Sequence, residues 1–547
     1  MSATLFAPVQ LTFQRKSAPE THHRVLGLEG HEALSQCFVF TLTLLIDGEL
    51  SADDLEGWVG DEGVLRFSDG AETPVWGLIA SLECDHRDAW GRSHLRLSLR
   101  PTLWALSLST RSRVFLNKTA DEIVREVIAG YGLEHGRALR FDLHAPRDVR
   151  PYTAQYQERD LDFIARLCED EGIFFYWEHG DAQSTVVFAE SNAGLRPYRE
   201  GALHYDPRAE ATGSDVVRTV RSRLAAQPAQ VVVRAFQPGA AAVLATTQSV
   251  TVESARPGLV ARTVRSLFGG PERSEGDCNA EAQREAERLR CAAVEREMNT
   301  LAPGLHAGEV FSLVDHPDAA LDIAWLCVRV THQASAAVAD DGTWAVAYQN
   351  TAVTLSRAQR YVPQKVTPRP TMPSLVHGVI AGLRQGTPAA VDHRGCYEVL
   401  MPFDTQANRA RQVSAPVALL QHSAGVEYGA HFPLHVGAQV AIAHLYDDPD
   451  RPVIVGALPH GHGLPLVNAD NATQSVLLTR GQVRVEFEDD APQWAPAAET
   501  RGDSEKRKPA VLAARFESPD TPAPTGSSDP RGITSGPRQA RPTPKST

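Results

Sequence analysis

Between residues 152 and 180 the sequence reads YTAQYQERDLDFIARLCEDEGIFFYWEHG. It sets Glu158, Asp160, Asp162, Glu169, Asp170 and Glu171 around one thiol, Cys168, and ends in His179. Carboxylates, a thiol and an imidazole in so short a span are the raw material of a nucleophilic active site or a metal centre. Placed on a helix, however, the groups part company. Leu161, Ile164, Leu167 and Cys168 fall at i, i+3, i+6 and i+7 and form one inward stripe. Asp160 and Asp162 fall in the first turn, where negative charge complements the helix dipole, and Gly172 stands where a left-handed residue ends the helix. IFFYWEHG then reads as a buried strand, GDAQS as a turn and TVVFAE as its hairpin partner. The expectation is a core cysteine, with the acids as caps and solvated surface.

Other constellations meet the same test. HEALS (31–35) opens like a zincin helix, but Ser35 occupies the place of the second histidine. CDH (84–86) puts neighbouring side chains on opposite faces of a strand, which separates a nucleophile from its base. Asp447, Asp448 and Asp450 lie in DDPDRP without a further carboxylate at EF-hand spacing. They read as turn formers, with Pro449 and Pro452 fixing φ. His422, His431, His435, His444, His460 and His462 crowd one region, yet strand alternation scatters them over two faces, and zinc needs three or four converging ligands. No G-x-S-x-G, Walker A or G-x-G-x-x-G motif is present. The reading is of no catalytic, cofactor-binding or metal-binding residue, which moves the weight from enzymes to assembly.

Composition sets the frame. A chain of 547 residues exceeds what one core sustains and implies two to four domains. Its 42% apolar and 22% charged residues are those of a soluble globular protein, and a net charge of −13 argues against a nucleic-acid surface. No apolar run is long enough to span a bilayer, and MSATLFAPVQLTFQ lacks the basic and apolar regions of a secretory signal. The seven cysteines are dispersed with no C-x-x-C, which suits synthesis in a reducing cytoplasm better than a disulfide framework.

The elements that must position these residues are mostly short strands. FVFTLTLLI (38–46), SHLRLSLRP (93–101), TVVFAE (185–190), AQVVVRAF (229–236) and WAVAYQNTAVTL (344–355) carry β-branched or aromatic residues, several in strict alternation. One helix follows Thr119, with Glu122 completing a capping box and Ile123, Val124, Val127 and Ile128 forming its apolar face. Another runs from about Asn279 to Met298, with Ala282, Ala286, Leu289 and Ala293 in one seam and Glu285–Arg288 and Glu287–Arg290 as surface pairs. YVPQKVTPRPTMPS (361–374) is a proline-rich joint. In VRVEFEDD (483–490), Val483, Val485 and Phe487 alternate with Arg484, Glu486 and Glu488. From about Ala491 onward the polar, proline-rich composition reads as disordered.

On these residues a resemblance rests. YTAQYQERDLDFIARLCEDEGIFFYWEH resembles the hallmark of the VgrG family, the type VI secretion spikes that share their architecture with contractile-phage tail hubs. LAPGLHAGEVFSL (301–313) and YGAHFPLHVGAQVAIAHLYDDPDRPVIVGALPH (428–460) are similar to further segments of that family. MPFD (401–404) and APVALLQHSAG (415–425) depart from it, lacking the family's tryptophans while Phe403 and Gly425 keep the frame. The resemblance implies a mainly β fold with α insertions: tandem hub β-barrels, a helix–strand insert, an OB-fold and a short spike neck. Its expected segments are 1–110 (first barrel), 111–184 (insert), 185–360 (second barrel), 361–374 (joint), 375–464 (OB-fold collar), 465–490 (neck) and 491–547 (tail). It implies a homotrimer seated on a hexameric secretion tube, with a tip protein, effectors or their adaptors and baseplate components as partners and a target membrane pierced in passing. Assembly in the bacterial cytoplasm and export without a signal peptide would follow. The hub of a phage or phage-derived contractile tail is the alternative within this architecture, and a spike bearing a cell-wall hydrolase the alternative outside it.

Overall fold

The computed structural model describes residues 9–488 apart from 48–49, 70–71, 86–91, 134–135, 137, 210–214, 238–241, 250–259, 269–273, 339–343, 373, 406–415, 426 and 460–464. The chain divides into two units, 1–458 and 459–547.

The first unit begins with β1 (Gln10–Arg15), β2 (His22–Ala33), β3 (Gln36–Asp47), a short helix α1 (Ala52–Glu56), β4 (Glu62–Ser68), β5 (Glu72–Asp85) and β6 (Arg92–Arg100). Alternation along FVFTLTLLI sends Phe38, Phe40, Leu42 and Leu44 inward, all fully buried, against Phe13, Leu65, Phe67 and Leu97. Pairing runs β1-β4-β5-β6-β3-β2 and returns to β1, so these strands close a ring and leave few free edges.

An insert follows: β7 (Thr110–Lys118), α2 (Ala120–Ala129), β8 (Leu139–Asp142), β9 (Arg150–Arg159), α3 (Asp160–Glu171), β10 (Phe174–His179) and β11 (Ser184–Ala189). Thr119 and Glu122 form the capping box, and Ile123, Val124, Val127 and Ile128 are buried. Gly172, at φ +72°, ends α3 in the left-handed conformation and turns the chain into β10, which pairs with β11. The buried stripe of α3 is Phe163, Ile164, Leu167 and Cys168; Leu161 lies only at its margin.

The chain continues through β12 (Pro197–Tyr205), β13 (Val216–Leu224), β14 (Gln230–Gln237), β15 (Ala242–Ser249), β16 (Val264–Phe268), α4 (Glu275–Ala293), β17 (Val294–Thr300), β18 (Val310–Val314), β19 (Ala324–Val338) and β20 (Trp344–Ser356). The order β19-β18-β12-β13-β17-β20 returns to β19 and closes a second ring. The two rings are one continuous sheet, joined where Gly27–Ala33 of β2 pair with Arg329–Ser335 of β19. Helix α4 corrects the expectation at both ends. It starts four residues early, because Ser274 and Asp277 form a capping box, and stops at Ala293, where VEREMNT pairs as β17 with β13 and β20. Ala282, Ala286 and Leu289 pack on Val231, Val233 and Ala235 of β14, as the seam requires. Glu285 and Arg288 are not a surface pair: both are buried, 3.0 Å apart.

After the proline-rich joint come β21 (Val376–Ile380), β22 (Val399–Leu400), β23 (Ala424–Gly425), β24 (Tyr428–Gly429), β25 (Gln439–His444) and β26 (Pro452–Leu458). β22, β21, β25 and β26 form a small sheet with its own core of Ile380, Tyr397, Val399, Met401, Val440, Ile442 and Ile454, and β23 and β24 pair separately. Among the described residues no helix is long and apolar enough to cross a membrane.

In the second unit β27 (Gln474–Leu478) and β28 (Arg484–Glu488) form an antiparallel hairpin, with Leu477 opposite Val485 and Ser475 opposite Phe487. Leu477, Val483 and Phe487 are exposed. The tail expected to be disordered, 491–547, lies outside the described residues.

Candidate functional site

Asp162 keeps its expected place in the first turn of α3, but the other acids of the opening stretch are not solvated caps. Asp160, at the start of α3, has no exposed surface. Its carboxylate accepts hydrogen bonds from Arg113 (3.0 Å), Gln155 (2.7 Å) and the Tyr131 hydroxyl (2.7 Å), and Arg111 stands 3.3 Å away. Glu158 takes both arms of the Arg166 guanidinium at 2.8 Å, and Arg166 also donates to the Ala154 carbonyl. Burial pushes the Glu158 carboxyl above its ordinary value while Arg166 pulls against it. Glu169 accepts from the amide and hydroxyl of Thr367, and Arg288 donates to its backbone carbonyl. Asp170 pairs with Lys365 at 3.0 Å and Glu171 with Arg150 at 2.5 Å. Cys168 is buried, and burial pushes its thiol up, away from the reactive thiolate. An apolar stripe needs only one face of a helix, so sequence periodicity leaves the other face to solvent; here strands, joint and α4 cover it and engage Glu158, Asp160, Glu169, Asp170 and Glu171.

The aspartates of DDPDRP do form the turn: Asp448 accepts from the amide of Asp450 at 3.0 Å. They also reach outward. Asp450 accepts from the amide of Ala154 (2.6 Å) and from Arg369 (2.7 Å), fixing this turn to β9 and to the joint. Of the clustered histidines, His431 stands against Tyr397 and Gln421, while His444 is buried at the end of β25. His460 and His462 lie outside the described residues, as does His86 of CDH.

Elsewhere the fold gathers groups that no local motif joins. Glu32, the glutamate of HEALS, points inward from β2. His332 sits diagonally across the seam on β19, His179 ends β10, and His306 lies in the loop before β18. That loop is pressed close: a Cβ on Gly308, at φ +98°, would stand 2.7 Å from the Tyr176 ring. One Glu32 oxygen is 2.7 Å from His306 Nδ1 and 3.1 Å from His332 Nε2; the other is 3.9 Å from His179 Nε2. None of the four side chains is more than 4% exposed. Ser184 Oγ holds His179 Nδ1 and Tyr348 Oη holds His332 Nδ1, each at 2.7 Å. Nε2 of His179 and Nε2 of His306 are buried without a hydrogen-bond partner.

Burial opposes ionisation of Glu32, but the charge on His306 and the imidazole hydrogen bonds outweigh it and hold the carboxyl well below its ordinary range. His306 is shifted up, its burial overcome by Glu32, whereas burial and the charged His306 push His179 down to about 4. His332 is likewise lowered by burial, and burial raises Glu309, beneath the His306 amide, to about 7. Among the described residues, Glu32, His306 and His332 are the group whose ligand atoms lie close enough to share one ion. Sequence reading misses this centre because a zincin demands its second histidine nearby, whereas these partners stand more than a hundred residues away. The available signal is narrower: a glutamate on the inward face of a strand must find a partner.

Comparison with known proteins accords with this architecture. A family model described as the phage tail baseplate hub (GPD) matches residues 31–338. The Vibrio cholerae type VI secretion system spike protein VgrG3 is 27% identical over 498 residues, 85% of this chain and 47% of its own length. The Pseudomonas aeruginosa type VI secretion system spike protein VgrG5 is 26% identical over 498 residues, 87% and 61% respectively. A V. cholerae relative named actin cross-linking toxin VgrG1 is 26% identical over 491 residues, 85% and 44%. The chain thus spans about half the length of these relatives. An E. coli component of the type VI secretion system, described as similar to the T4 tail proteins gp27 and gp5, superposes with a TM-score of 0.58 at 18% identity, over 82% of this chain and 99% of its own. A chain of the Francisella PdpA–VgrG complex superposes with a TM-score of 0.58 at 9% identity, over 88% and 83%. These two likenesses are of fold. The matched segment is more than half of the chain, opens one residue before Glu32 and closes with β19, so it holds the insert, β19 and the whole buried centre: the chain belongs to the phage tail baseplate hub family.

Proposed function

We propose that this protein is the hub and spike base of a type VI secretion apparatus, working by assembly and mechanical force. The carrying observation is the pair of closed rings fused through β2 and β19. Three copies would set six similar rings around an axis, a pseudo-six-fold platform for a hexameric secretion tube. The sheet over 376–458 is read as an OB-fold collar, and the β27–β28 hairpin as the neck of a three-stranded spike. On the neck, Leu477, Val485 and Phe487 share one face, and two further copies would bury it. Sheath contraction would then drive the spike through a target membrane with a tip protein, effectors or their adaptors, from an assembly built in the cytoplasm. The relatives named as spike proteins support this reading, as does the engagement of the hallmark acids in structural contacts. The phage-derived tail hub stands as the second reading, because the matching family model is itself described by a phage tail.

Light scattering on the purified chain, with and without 491–547, tests the oligomer. A trimer of either form supports the hub, and a stable monomer of the full chain at micromolar concentration rejects it. Co-sedimentation with tube protein from a secretion cluster or from a prophage separates the two readings. A cleared band on a cell-wall zymogram would sink the non-enzymatic assignment.

A further inference from the structure

We infer that Glu32, His179, His306 and His332 form a structural metal site, taking one zinc ion or a chemically similar first-row divalent cation at the seam between the two rings.

The donor set is the first argument. Glu32, His306 and His332 bring their ligand atoms together with no exposed position, and His179, 3.9 Å from the carboxylate, stands beside them to complete the donor set of a closed, four-coordinate structural site. Distance is the second. Zinc bonds of roughly 2.0–2.1 Å put tetrahedral ligand atoms about 3.3 Å apart. Glu32 Oε1 lies 2.7 Å from His306 Nδ1 and 3.1 Å from His332 Nε2, near that edge, while His179 Nε2, 3.9 Å from the other oxygen, has to move inward to join them. The third argument is orientation. Ser184 and Tyr348 engage the Nδ1 atoms of His179 and His332, which leaves Nε2 of each ring facing Glu32, the second-layer support that metal-bound histidines ordinarily carry. The fourth is an unmet need: Nε2 of His179 is buried, lacks a hydrogen-bond partner and looks toward the carboxylate, and an ion there satisfies it.

The site's position gives it a task. Its ligands come from β2, the end of β10, the loop before β18 and β19, so one ion ties both rings and the insert at their junction. An ion so enclosed enters as the chain folds and leaves only when the seam opens.

The test uses the full chain, freed of any polyhistidine tag and dialysed against a chelator that strips weak surface sites. Elemental analysis is expected to find close to one zinc per chain, and refolding with cobalt to give the visible absorption of a tetrahedral ion. His306→Gln and His332→Gln should lower bound metal at least tenfold, while His435→Gln, outside the cluster, should leave it unchanged. Because those variants remove buried groups, the unmutated chain supplies an independent arm. Unfolded in chelator, it should refold with a higher melting temperature when zinc is returned. A folded, metal-poor chain whose melting temperature ignores zinc overturns the inference and leaves a Glu32–His306 ion pair at the seam. Stoichiometric metal that survives both substitutions overturns it equally.

Discussion

At the scale of single residues, the hallmark works by burying carboxylates that cations and hydrogen-bond donors answer. Asp160 is the clearest case, since three donors and a further guanidinium converge on one carboxylate with no solvent contact. Asp160→Ala leaves Arg113, itself 4% exposed, without its anion, and the expected loss is about 3–5 kcal/mol of folding stability. Urea unfolding of the variant checks it, and a loss below about 1 kcal/mol would show that Gln155 alone suffices. His444 offers a pH handle. Burial lowers its pKa although Asp450 pulls the other way, so the folded chain keeps the ring neutral while the unfolded chain protonates near pH 6.5. Stability is therefore full above that pH and lost as pH falls through the depressed value. His444→Phe should flatten the decline in melting temperature between pH 7 and 5, and an unchanged slope would place the acid sensitivity elsewhere. Such environments are poorly legible in sequence: the pattern assigns Cys168 to the core, but it cannot tell that Asp160, Glu158 and Glu169 are covered by segments far along the chain.

At the scale of elements, more can be read in advance. The capping box at Thr119, the glycine stop at Gly172 and the β10–β11 hairpin are local chemistry, and each forms as its residues require. Helix α4 is misjudged because its helical spacing runs on into VEREMNT, a segment claimed by two flanking strands rather than by its own preference. Arg288 on that helix shows what the element is for: it donates to carbonyls of Glu169 and Pro363, fastening α3 to the joint. Arg288→Leu should raise amide exchange across 361–369 about tenfold, equivalent to about 1.4 kcal/mol, while the ring strands stay protected. Uniform exchange in both proteins would deny the arginine this fastening part.

At the scale of the whole molecule, the fold class follows from short alternating strands, but the seam does not, because nothing local to residues 27–33 names residues 329–335 as partner. The apolar face of the β27–β28 hairpin, proposed above as the neck, is the opposite case, visible in alternation alone. Val483→Asp should weaken self-association at least tenfold by sedimentation equilibrium without altering the circular dichroism of the hub; an unchanged mass at equal concentration would reject the neck as a trimer contact. The seam also bears on how the chain is made. Strand β2 leaves the ribosome early, yet the strand that covers its second half ends near residue 338. At roughly 5–20 residues per second, that edge waits about 15–60 s for its cover, long enough for a nascent chain to need shelter from its neighbours on the same message.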